Sequence, residues 1–384
     1  MVEREFLIDV SRLIWRVWTG RHPTGIDRVC LAYLDHFGSR AQAVLQWNGL
    51  LRILTPRQSD RLFSLLLRGG RDFRKGFVLM LPGIALRGTG NGDCEGRIYL
   101  NIGHTGLDEP SLPDWVRRRR IKAVYLIHDL IPITHPEFCR AGEAEKHHIR
   151  MAHVLDSATG IIANSQVTLD EFANHARRKG KVMPASTSAW ISGNPIPEGT
   201  SRSAMGRPYF VAVGTIEGRK NHILLLQIWQ YLVEQFGSQA PHLLIIGQRG
   251  WEAEHALAML DRNPALRGPV RELGDCDDVE LARLISGARA LLMPSFAEGF
   301  GLPVVEALQL GTPVIASDLP VFREIAGDIP TYLDPTDGAG WQREILAFQH
   351  DSPERVRQLT TMQGYRAPDW AQHFAKVEAW LKTL

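Results

Sequence analysis

Cysteine is scarce in this chain, because the 384 residues contain only four, Cys30, Cys94, Cys139 and Cys276. They lie far apart and form no CxxC pair, which argues against a zinc site or a disulfide scaffold and favours a reducing compartment. Long hydrophobic runs are also missing, since no run reaches the roughly 18 apolar residues that a membrane span needs. The N-terminus carries charges where a signal peptide would have its apolar core. We therefore expect a cytoplasmic protein whose membrane contact, if any, is peripheral.

A strong net charge is missing as well, but the charges are unevenly distributed. The formal net charge is +2, with 27 Lys and Arg against 20 Asp and Glu in residues 1–200, and 17 against 22 in residues 201–384. Basic residues cluster at 57–75, around the sequence LFSLLL, and at 117–122. A basic stretch interleaved with Leu and Phe fits an anionic membrane surface or, equally, the solvated face of a helix. Nucleic acid is not expected as a partner, because the chain is almost neutral and has no recognised nucleic-acid motif.

The composition and length are those of folded domains. Hydrophobic residues make up 44% of the chain and charged residues 22%, and 384 residues suggest two domains. Short apolar runs alternate with helical stretches, which predicts α/β domains whose parallel sheets are covered by helices on both faces. The runs that we interpret as strands are 6–10, 123–129, 160–165, 209–214, 242–247, 290–295 and 312–318.

A stretch rich in Gly, Pro and Ser at 192–208 predicts the linker between two domains. We therefore expect a first domain at 1–197 and a second at 198–362. In the remaining residues, 363–384, aromatic and aliphatic side chains recur at helical intervals from position 370. This spacing predicts an amphipathic helix, which we expect to return to the first domain.

One stretch of the second half, PSFAEGFGLPVVEALQLGTPVIASD at 294–318, is the most informative. Its pattern predicts a strand, a glycine-rich loop and a helix that begins at Leu302 with Pro in the first turn. Gly299 and Gly301, on either side of Phe300, allow the backbone to approach a ligand closely. The free N–H groups at the helix start favour a phosphate.

Two carboxylates belong to the same stretch, Glu298 in the loop and Glu306 on the helix. Carboxylates that face one crevice can accept hydrogen bonds from sugar and ribose hydroxyls, whereas an isolated Glu306 would be a capping carboxylate. The stretch resembles the signature of glycosyltransferase family four, retaining enzymes of the GT-B fold, in which two glutamates separated by seven residues frame a nucleotide-sugar site. The resemblance implies that Glu298 binds donor-sugar hydroxyls and Glu306 the ribose. It also implies that the backbone of residues 299–302 approaches the sugar and phosphate.

Two adjacent cations, Arg219 and Lys220, follow a strand that we expect to end at Gly214. Cations beside a strand end suit a diphosphate, although such a dipeptide alone would more often be solvated at the surface. The family resemblance implies that both bind the donor phosphates and that Gly214 lines the site. The family usually has its phosphate-binding Arg directly after this glycine, where the present chain has Thr215.

Three further positions extend the resemblance. Cys276 would offer backbone contacts to the nucleobase, or would lie in a plain surface turn. Gly25, in PTGIDRV, would face the donor phosphates, and Arg28 beside it would reach a phosphate or pair with a carboxylate on its own helix. His128, in IHDLIP, follows a strand, and the resemblance implies that it contacts the donor sugar.

These features predict a two-domain GT-B protein whose Rossmann-like domains face a central cleft, the first binding the acceptor and the second the nucleotide sugar. It would be a retaining glycosyltransferase that moves a hexose to a growing surface polysaccharide or a lipid-linked glycan. The leaving diphosphate would take the acceptor proton, and Arg219, Lys220 and the helix start at Leu302 would stabilise its charge. His128 would lie near the hydroxyls of the oxocarbenium-like centre.

No DxD pair lies in a plausible loop, so neither a metal nor a cofactor is expected. One alternative is a catalytically silent protein that binds a nucleotide sugar or glycan in a polysaccharide assembly complex. Another is a sugar-nucleotide epimerase of the same fold. A nicotinamide-dependent oxidoreductase is not favoured, because no GxGxxG follows a strand.

Overall fold

The chain forms two compact units in the computed structural model. The residues that the structure describes are 4–20, 25–69, 72–86, 94–193 and 206–384. Unit 1 consists of Met1–Ile133, Ala144–Ile191 and Trp370–Leu384, and unit 2 consists of Thr134–Glu143 and Ser192–Asp369. The expected domain boundary at 197/198 lies outside the described residues.

Unit 1 is built on a seven-stranded sheet. Its strands are β1 (Phe6–Asp9), β2 (Ala41–Trp47), β3 (Leu50–Ile53), β4 (Ile98–Asn101), β5 (Lys122–Ile127), β6 (Ala158–Ala163) and β7 (Ala185–Ser188). They lie in the order β3-β2-β1-β4-β5-β6-β7, and all neighbours are parallel except β2 and β3. Every residue of β1 and five consecutive residues of β5 are buried, so both faces of the sheet are covered.

The helices of unit 1 connect these strands. They are α1 (Ser11–Thr19), α2 (Gly25–Phe37), α3 (Pro56–Arg68), α4 (Asp72–Val78), α5 (Leu81–Leu86), α6 (Ser111–Arg118), α7 (Ile131–Thr134), α8 (Glu143–Ser157) and α9 (Gln166–Arg178). The ends of α7 and α8 reach into the segment that clusters with unit 2. No helix in the described parts of the chain is long and apolar enough to cross a membrane.

Unit 2 is built on a six-stranded sheet in which all neighbours are parallel. Its strands are β8 (Tyr209–Val213), β9 (His242–Ile246), β10 (Val270–Leu273), β11 (Leu291–Met293), β12 (Val314–Ser317) and β13 (Thr331–Leu333). They lie in the order β10-β9-β8-β11-β12-β13. The helices are α10 (His222–Phe236), α11 (Glu254–Arg262), α12 (Asp278–Gly287), α13 (Leu302–Gln309), α14 (Pro320–Ala326), α15 (Gly338–Phe348) and α16 (Pro353–Thr361).

The prediction of parallel α/β domains is confirmed, and all seven apolar runs form strands. Each strand ends one or two residues earlier than expected, because the last residues of the run leave the sheet and enter the loop. Apart from the seven-residue β2, which lies between β3 and β1, the strands that the sequence did not indicate have only three or four residues. An example is β7, whose sequence ASTS carries no apolar pattern beyond its alanine.

The chain ends in helix α17 (Trp370–Leu381), which packs within unit 1. Phe374 and Val377 are buried, as the helical spacing indicated. His373 is also buried, and its Nε2 lies 2.8 Å from the Tyr33 hydroxyl on α2. Residues 363–369, which we expected to accompany this helix, cluster with unit 2.

Candidate functional site

In unit 2, three of the predicted site residues form one buried ion cluster. The Glu298 carboxylate lies between two cations, with Oε1 at 2.5 Å from Lys220 Nζ and Oε2 at 2.8 Å from Arg219 Nη1. The side chains of Lys220 and Glu298 are 9% and 6% exposed. A second carboxylate, Glu217, accepts from Arg219 Nη2 at 2.6 Å. Residues 78 and 79 positions apart in the chain thus meet at the carboxyl ends of β8 and β11.

The turn after β8 holds the two cations. Gly214 has a φ of 135°, and a Cβ at this position would lie 3.2 Å from Lys220 Cε, so a glycine leaves room for the lysine stem. Asn221, in the left-handed region with a φ of 55°, separates the turn from α10. Its side-chain amide donates to the carbonyl oxygens of Pro294 and Pro335, at 3.2 and 2.9 Å. Asn221 therefore links the turn by a hydrogen bond to the segment that leads to Glu298.

Further hydrogen bonds hold the loop after β11 against the same turn. The Phe296 N–H donates to the Arg219 carbonyl oxygen at 2.8 Å, and Arg219 Nη1 donates to the Ala297 carbonyl oxygen at 2.9 Å. The Ser295 hydroxyl donates to Glu298 Oε1 at 2.8 Å. Backbone and side-chain contacts together fix the positions of the carboxylate and the guanidinium.

The pKa values of Glu298, Lys220 and Glu217 depart from their usual range. Burial raises the pKa of Glu298, but the neighbouring Arg219 and Lys220 outweigh it and lower this pKa to about 2. Burial lowers the pKa of Lys220 and raises that of Glu217. His222, on the first turn of α10, has its pKa lowered to about 3 by burial and by Lys220 and Arg219. Glu298 is therefore ionised and His222 neutral at pH 7.

The start of α13 offers unused backbone donors beside this cluster. Among the described residues, no hydrogen bond uses the N–H groups of Phe300, Gly301 and Leu302. Gly301, with a φ of 101°, precedes the helix, and a Cβ there would lie 2.6 Å from Phe322 Cε1. Such a helix start favours an anion through its free N–H groups and its dipole. Helix α13 begins at Leu302, as the sequence predicted.

Glu306 lies further along α13 and is half-buried. The first turn of α13 contains no acidic residue, so Glu306 is not positioned as a first-turn cap. A Cβ built on Gly193 would lie 2.9 Å from Glu306 Cγ, which shows a close backbone approach to this side chain. Its interaction with a ribose stays a prediction.

Cys276 lies in the turn between β10 and α12. Its thiol is 3.6 Å from the Asp277 carbonyl oxygen, and burial and nearby carboxylates raise its pKa to about 11. The Asp277 side chain accepts from the Glu280 N–H at 2.8 Å and caps α12. None of the described contacts joins Cys276 to the ion cluster. Contact with a nucleobase stays a prediction.

In unit 1, Gly25 is the first residue of α2, and residues 21–24 before it lie outside the described parts. Asp27 is 1% exposed, accepts a hydrogen bond from Arg12 Nε at 2.7 Å and forms an ion pair with Arg16, whose Nε lies 2.9 Å from Asp27 Oδ2. Two arginines of α1 thus neutralise Asp27, which with Asp35 is one of the two carboxylates of α2 that could pair with Arg28. The approach of Gly25 to a phosphate stays a prediction.

His128 is 5% exposed at the carboxyl end of β5. Its Nε2–H donates to the Ile102 carbonyl oxygen at 2.7 Å, and burial lowers its pKa to about 4. The ring is neutral at pH 7, and its Nδ1, which makes no hydrogen bond among the described residues, can accept one. The His104 ring, which the sequence did not single out, lies 5.1 Å away, between ring centroids. Neutral His128 therefore suits a hydroxyl donor.

The site also contains two residues that the sequence reading missed. Glu217 precedes Arg219 by two positions and is 4% exposed, and Ser295 is fully buried. The position of Glu217, two residues before Arg219, was the sequence signal that could have indicated it. The described residues contain no group of three or more His, Cys, Asp or Glu side chains that could hold a metal ion.

Known proteins resemble this chain in sequence and in fold. Residues 199–360 match the family described as glycosyl transferases group 1. The chain is 31% identical to O-antigen chain mannosyltransferase B of Escherichia coli over 258 residues, 65% of this chain and 66% of that protein. It is 30% identical over 274 residues to the serotype-specific mannosyltransferase WbdA of Escherichia coli, again 65% of this chain but 33% of that protein. The chain thus spans between a third and two thirds of these relatives.

Solved structures share the fold over nearly the whole chain. Anabaena Alr3699/HepE in complex with UDP-glucose matches with a TM-score of 0.70 at 14% identity, covering 99% of both chains. A trehalose-phosphate synthase from Burkholderia vietnamiensis matches with a TM-score of 0.62 at 10% identity, covering 100% of both. At this identity the likeness shows the fold alone, and the predicted GT-B fold is confirmed.

Proposed function

We propose that this chain, a member of the group 1 glycosyl transferases through its residues 199–360, transfers a hexose from a nucleotide sugar to a glycan acceptor. The observation that carries the proposal is the ion cluster of Glu298 with Arg219 and Lys220, next to the unused N–H groups at the start of α13. Relatives named as mannosyltransferases make nucleotide-activated mannose the first donor to test.

The cluster suits the diphosphate and the sugar of a nucleotide sugar. A bound diphosphate would accept from Lys220 and Arg219 and from the N–H groups of α13, and these donors would stabilise the charge that grows on the leaving group. The Glu298 oxygens would then be shared between the cations and a sugar hydroxyl. Because Glu298 is ionised at pH 7, it accepts hydrogen bonds and donates none.

We further propose retention of the anomeric configuration. The leaving phosphate oxygen would accept the proton of the attacking hydroxyl on the same face of the sugar, so the chain would need no protein nucleophile. Neutral His128 in unit 1 would accept from a donor-sugar hydroxyl through Nδ1. Since cations and N–H groups serve the diphosphate, we expect transfer to proceed equally with and without a chelator of divalent metals.

Unit 1 carries an exposed surface that suits an anionic membrane. Trp15 and Trp18, one turn apart on α1, are 51% and 42% exposed, and Leu79 after α4 is 71% exposed. Arg74 lies over the Trp18 ring at 6.0 Å and donates to the Trp18 carbonyl oxygen at 2.8 Å, and Lys75 beside it is exposed. Aromatic side chains flanked by cations are typical of membrane interfaces. We propose that this surface brings the chain to a lipid-linked acceptor on the cytoplasmic face, and the four free cysteines fit that compartment.

Vesicle sedimentation tests the membrane part. Each cation near an anionic surface contributes about 1 kcal/mol, and the attraction falls off within about 8 Å at physiological salt. The chain should therefore bind anionic but not neutral vesicles, and Arg74→Ser with Lys75→Ser should weaken binding. The exposed pair Arg177 and Arg178 on α9 offers the matched control, also changed to Ser. Equal binding of neutral and anionic vesicles, or none, would remove the membrane from the proposal.

A thermal-shift screen tests the donor site. A ligand that binds only the native state raises the melting temperature. Of UDP, GDP, dTDP and ADP sugars, at least one should raise the melting temperature of the wild-type chain, and the rise should disappear in Lys220→Ala. A wild-type chain that responds to none of these donors would contradict the proposed function.

A further inference from the structure

One segment of the first half of the sequence packs with unit 2. The chain leaves unit 1 after Ile133, contributes Thr134–Glu143 to unit 2, and returns to unit 1 at Ala144. The segment contains a short 3-10 helix, Pro136–Phe138, followed by the exposed Arg140. Its position in the sequence, between β5 and β6, gave no indication of this placement.

Phe138 forms the first contact of this segment. Its ring stacks on Phe296 with the centroids 5.1 Å apart and the planes at 9°, and the His135 ring stacks on Phe138 with centroids 6.3 Å apart. Phe296 belongs to the loop of Glu298, and its N–H donates to the Arg219 carbonyl oxygen. The stack therefore includes a residue that is hydrogen-bonded to the turn after β8, which carries Arg219 and Lys220 and is called the cation turn below.

Arg140 forms the second contact. Its guanidinium lies 4.8 Å from the centroid of the Trp251 ring, in the loop after β9. That loop is also bonded to the cation turn, because the Trp251 carbonyl oxygen accepts from the Gly218 N–H at 3.3 Å. A Cβ on Gly218 would lie 2.6 Å from the Glu252 carbonyl oxygen, so the turn and this loop are in close contact.

We propose that Thr134–Glu143 is a positioning element of the donor site, in which Phe138 and Arg140 hold the two loops that flank the Arg219–Lys220 turn. The proposal rests on the proposed function for the identity of the ligand. A charged site binds its ligand best when the supporting groups fix its geometry in advance. A segment that merely packs would affect the melting temperature but not the donor affinity of the folded chain.

Donor affinity of the full chain tests this proposal, measured by calorimetry with the nucleotide sugar that the thermal-shift screen selects, well below the melting temperature. Phe138→Ala should weaken binding roughly tenfold, the fold-change that corresponds to about 1.4 kcal/mol. Phe138→Tyr, which keeps the stacked ring, should bind within about twofold of wild type. Phe236→Ala is the matched control, because Phe236 lies on α10 of the same unit and is 46% exposed. Wild-type affinity in Phe138→Ala would overturn the proposal.

A second measurement does not need a donor. In hydrogen exchange of the unliganded chains, Phe138→Ala should speed the exchange of residues 215–222 and 294–301 over that in Phe236→Ala, and equal rates would overturn the proposal. If wild type binds no nucleotide sugar, the proposed function fails while this readout still decides the positioning role. If Phe138→Ala does not fold, Arg140→Ala against Arg140→Lys replaces it, because Lys retains the cation above Trp251. A loss of donor affinity in Arg140→Ala but not in Arg140→Lys supports the proposal, and equal donor affinities of the two variants overturn it.

Discussion

Replacing Glu298 by Gln should destabilise unit 2 by about 3 kcal/mol at pH 7. The change keeps the size of the side chain but leaves Arg219 and buried Lys220 without their shared carboxylate. The Glu298 pKa falls from 4.5 to about 2, and each unit corresponds to about 1.36 kcal/mol, which gives about 3 kcal/mol. Breaking a buried ion pair by removing one partner costs about 3 to 5 kcal/mol, in agreement with this value.

The sign of the pH dependence follows from the same pKa. A carboxyl group whose folded pKa is depressed contributes stability above its unfolded pKa, here 4.5, and this contribution is lost as the pH falls towards 2. The difference between wild type and Glu298→Gln should therefore be complete at pH 7 and smaller at pH 3.

Native-state hydrogen exchange in strands β8, β11 and β12 measures the opening free energy of unit 2 separately from unit 1. Asp318→Asn is the matched control, because Asp318 also pairs with an arginine, Arg323, at 2.7 Å, but the two side chains are 51% and 45% exposed. An exposed pair contributes about 0 to 1 kcal/mol. If Glu298→Gln lowers the opening free energy of unit 2 by no more than Asp318→Asn does, the account of the buried ion cluster is contradicted.

Three more predictions follow from the structure. Glu306→Ala should weaken donor binding by about 1.5 to 3 kcal/mol in calorimetry, while the melting temperature changes little. If the variant unfolds but its remaining native protein binds the donor normally, Glu306 has a structural role instead. Gly301→Ala should cost at least about 1 kcal/mol in urea unfolding, because its φ of 101° and the Phe322 ring leave no place for a Cβ. Stability should fall as the pH drops from 6.5 towards 4, because His128 and His222, with pKa values lowered to about 4 and about 3, stay neutral when folded but bind a proton when unfolded. A urea midpoint at pH 5 equal to that at pH 7 would contradict this.

The sequence predicted the strands that carry strong apolar patterns, because a strand buried on both faces needs a continuous apolar run. It also singled out Arg219, Lys220 and Glu298, because ligands bind at the carboxyl ends of strands in such sheets, and the structure brings these three side chains together. Their binding of a donor stays a prediction. The direct contact between them was not predictable, because it depends on the pairing of β8 with β11 across the sheet.

The placement of Thr134–Glu143 shows why other features were missed. Sequence order assigns these residues to the first domain, whereas the stacking of Phe138 on Phe296 places them in unit 2. Contacts between residues so far apart in the chain leave no local pattern. The exposed Trp15 and Leu79 were missed for a similar reason, since exposure depends on the helices that pack around them.

The most direct test of the central claim is sugar transfer itself, measured by NMR of the product formed from a nucleotide sugar and a glycan acceptor. The account predicts a new glycosidic bond with the anomeric configuration of the donor, formed in the presence of a metal chelator. It also predicts that Lys220→Ala loses most of the turnover, because the charge of the leaving diphosphate grows towards the transition state. Epimerised nucleotide sugar without transfer, or full turnover in Lys220→Ala, would contradict it.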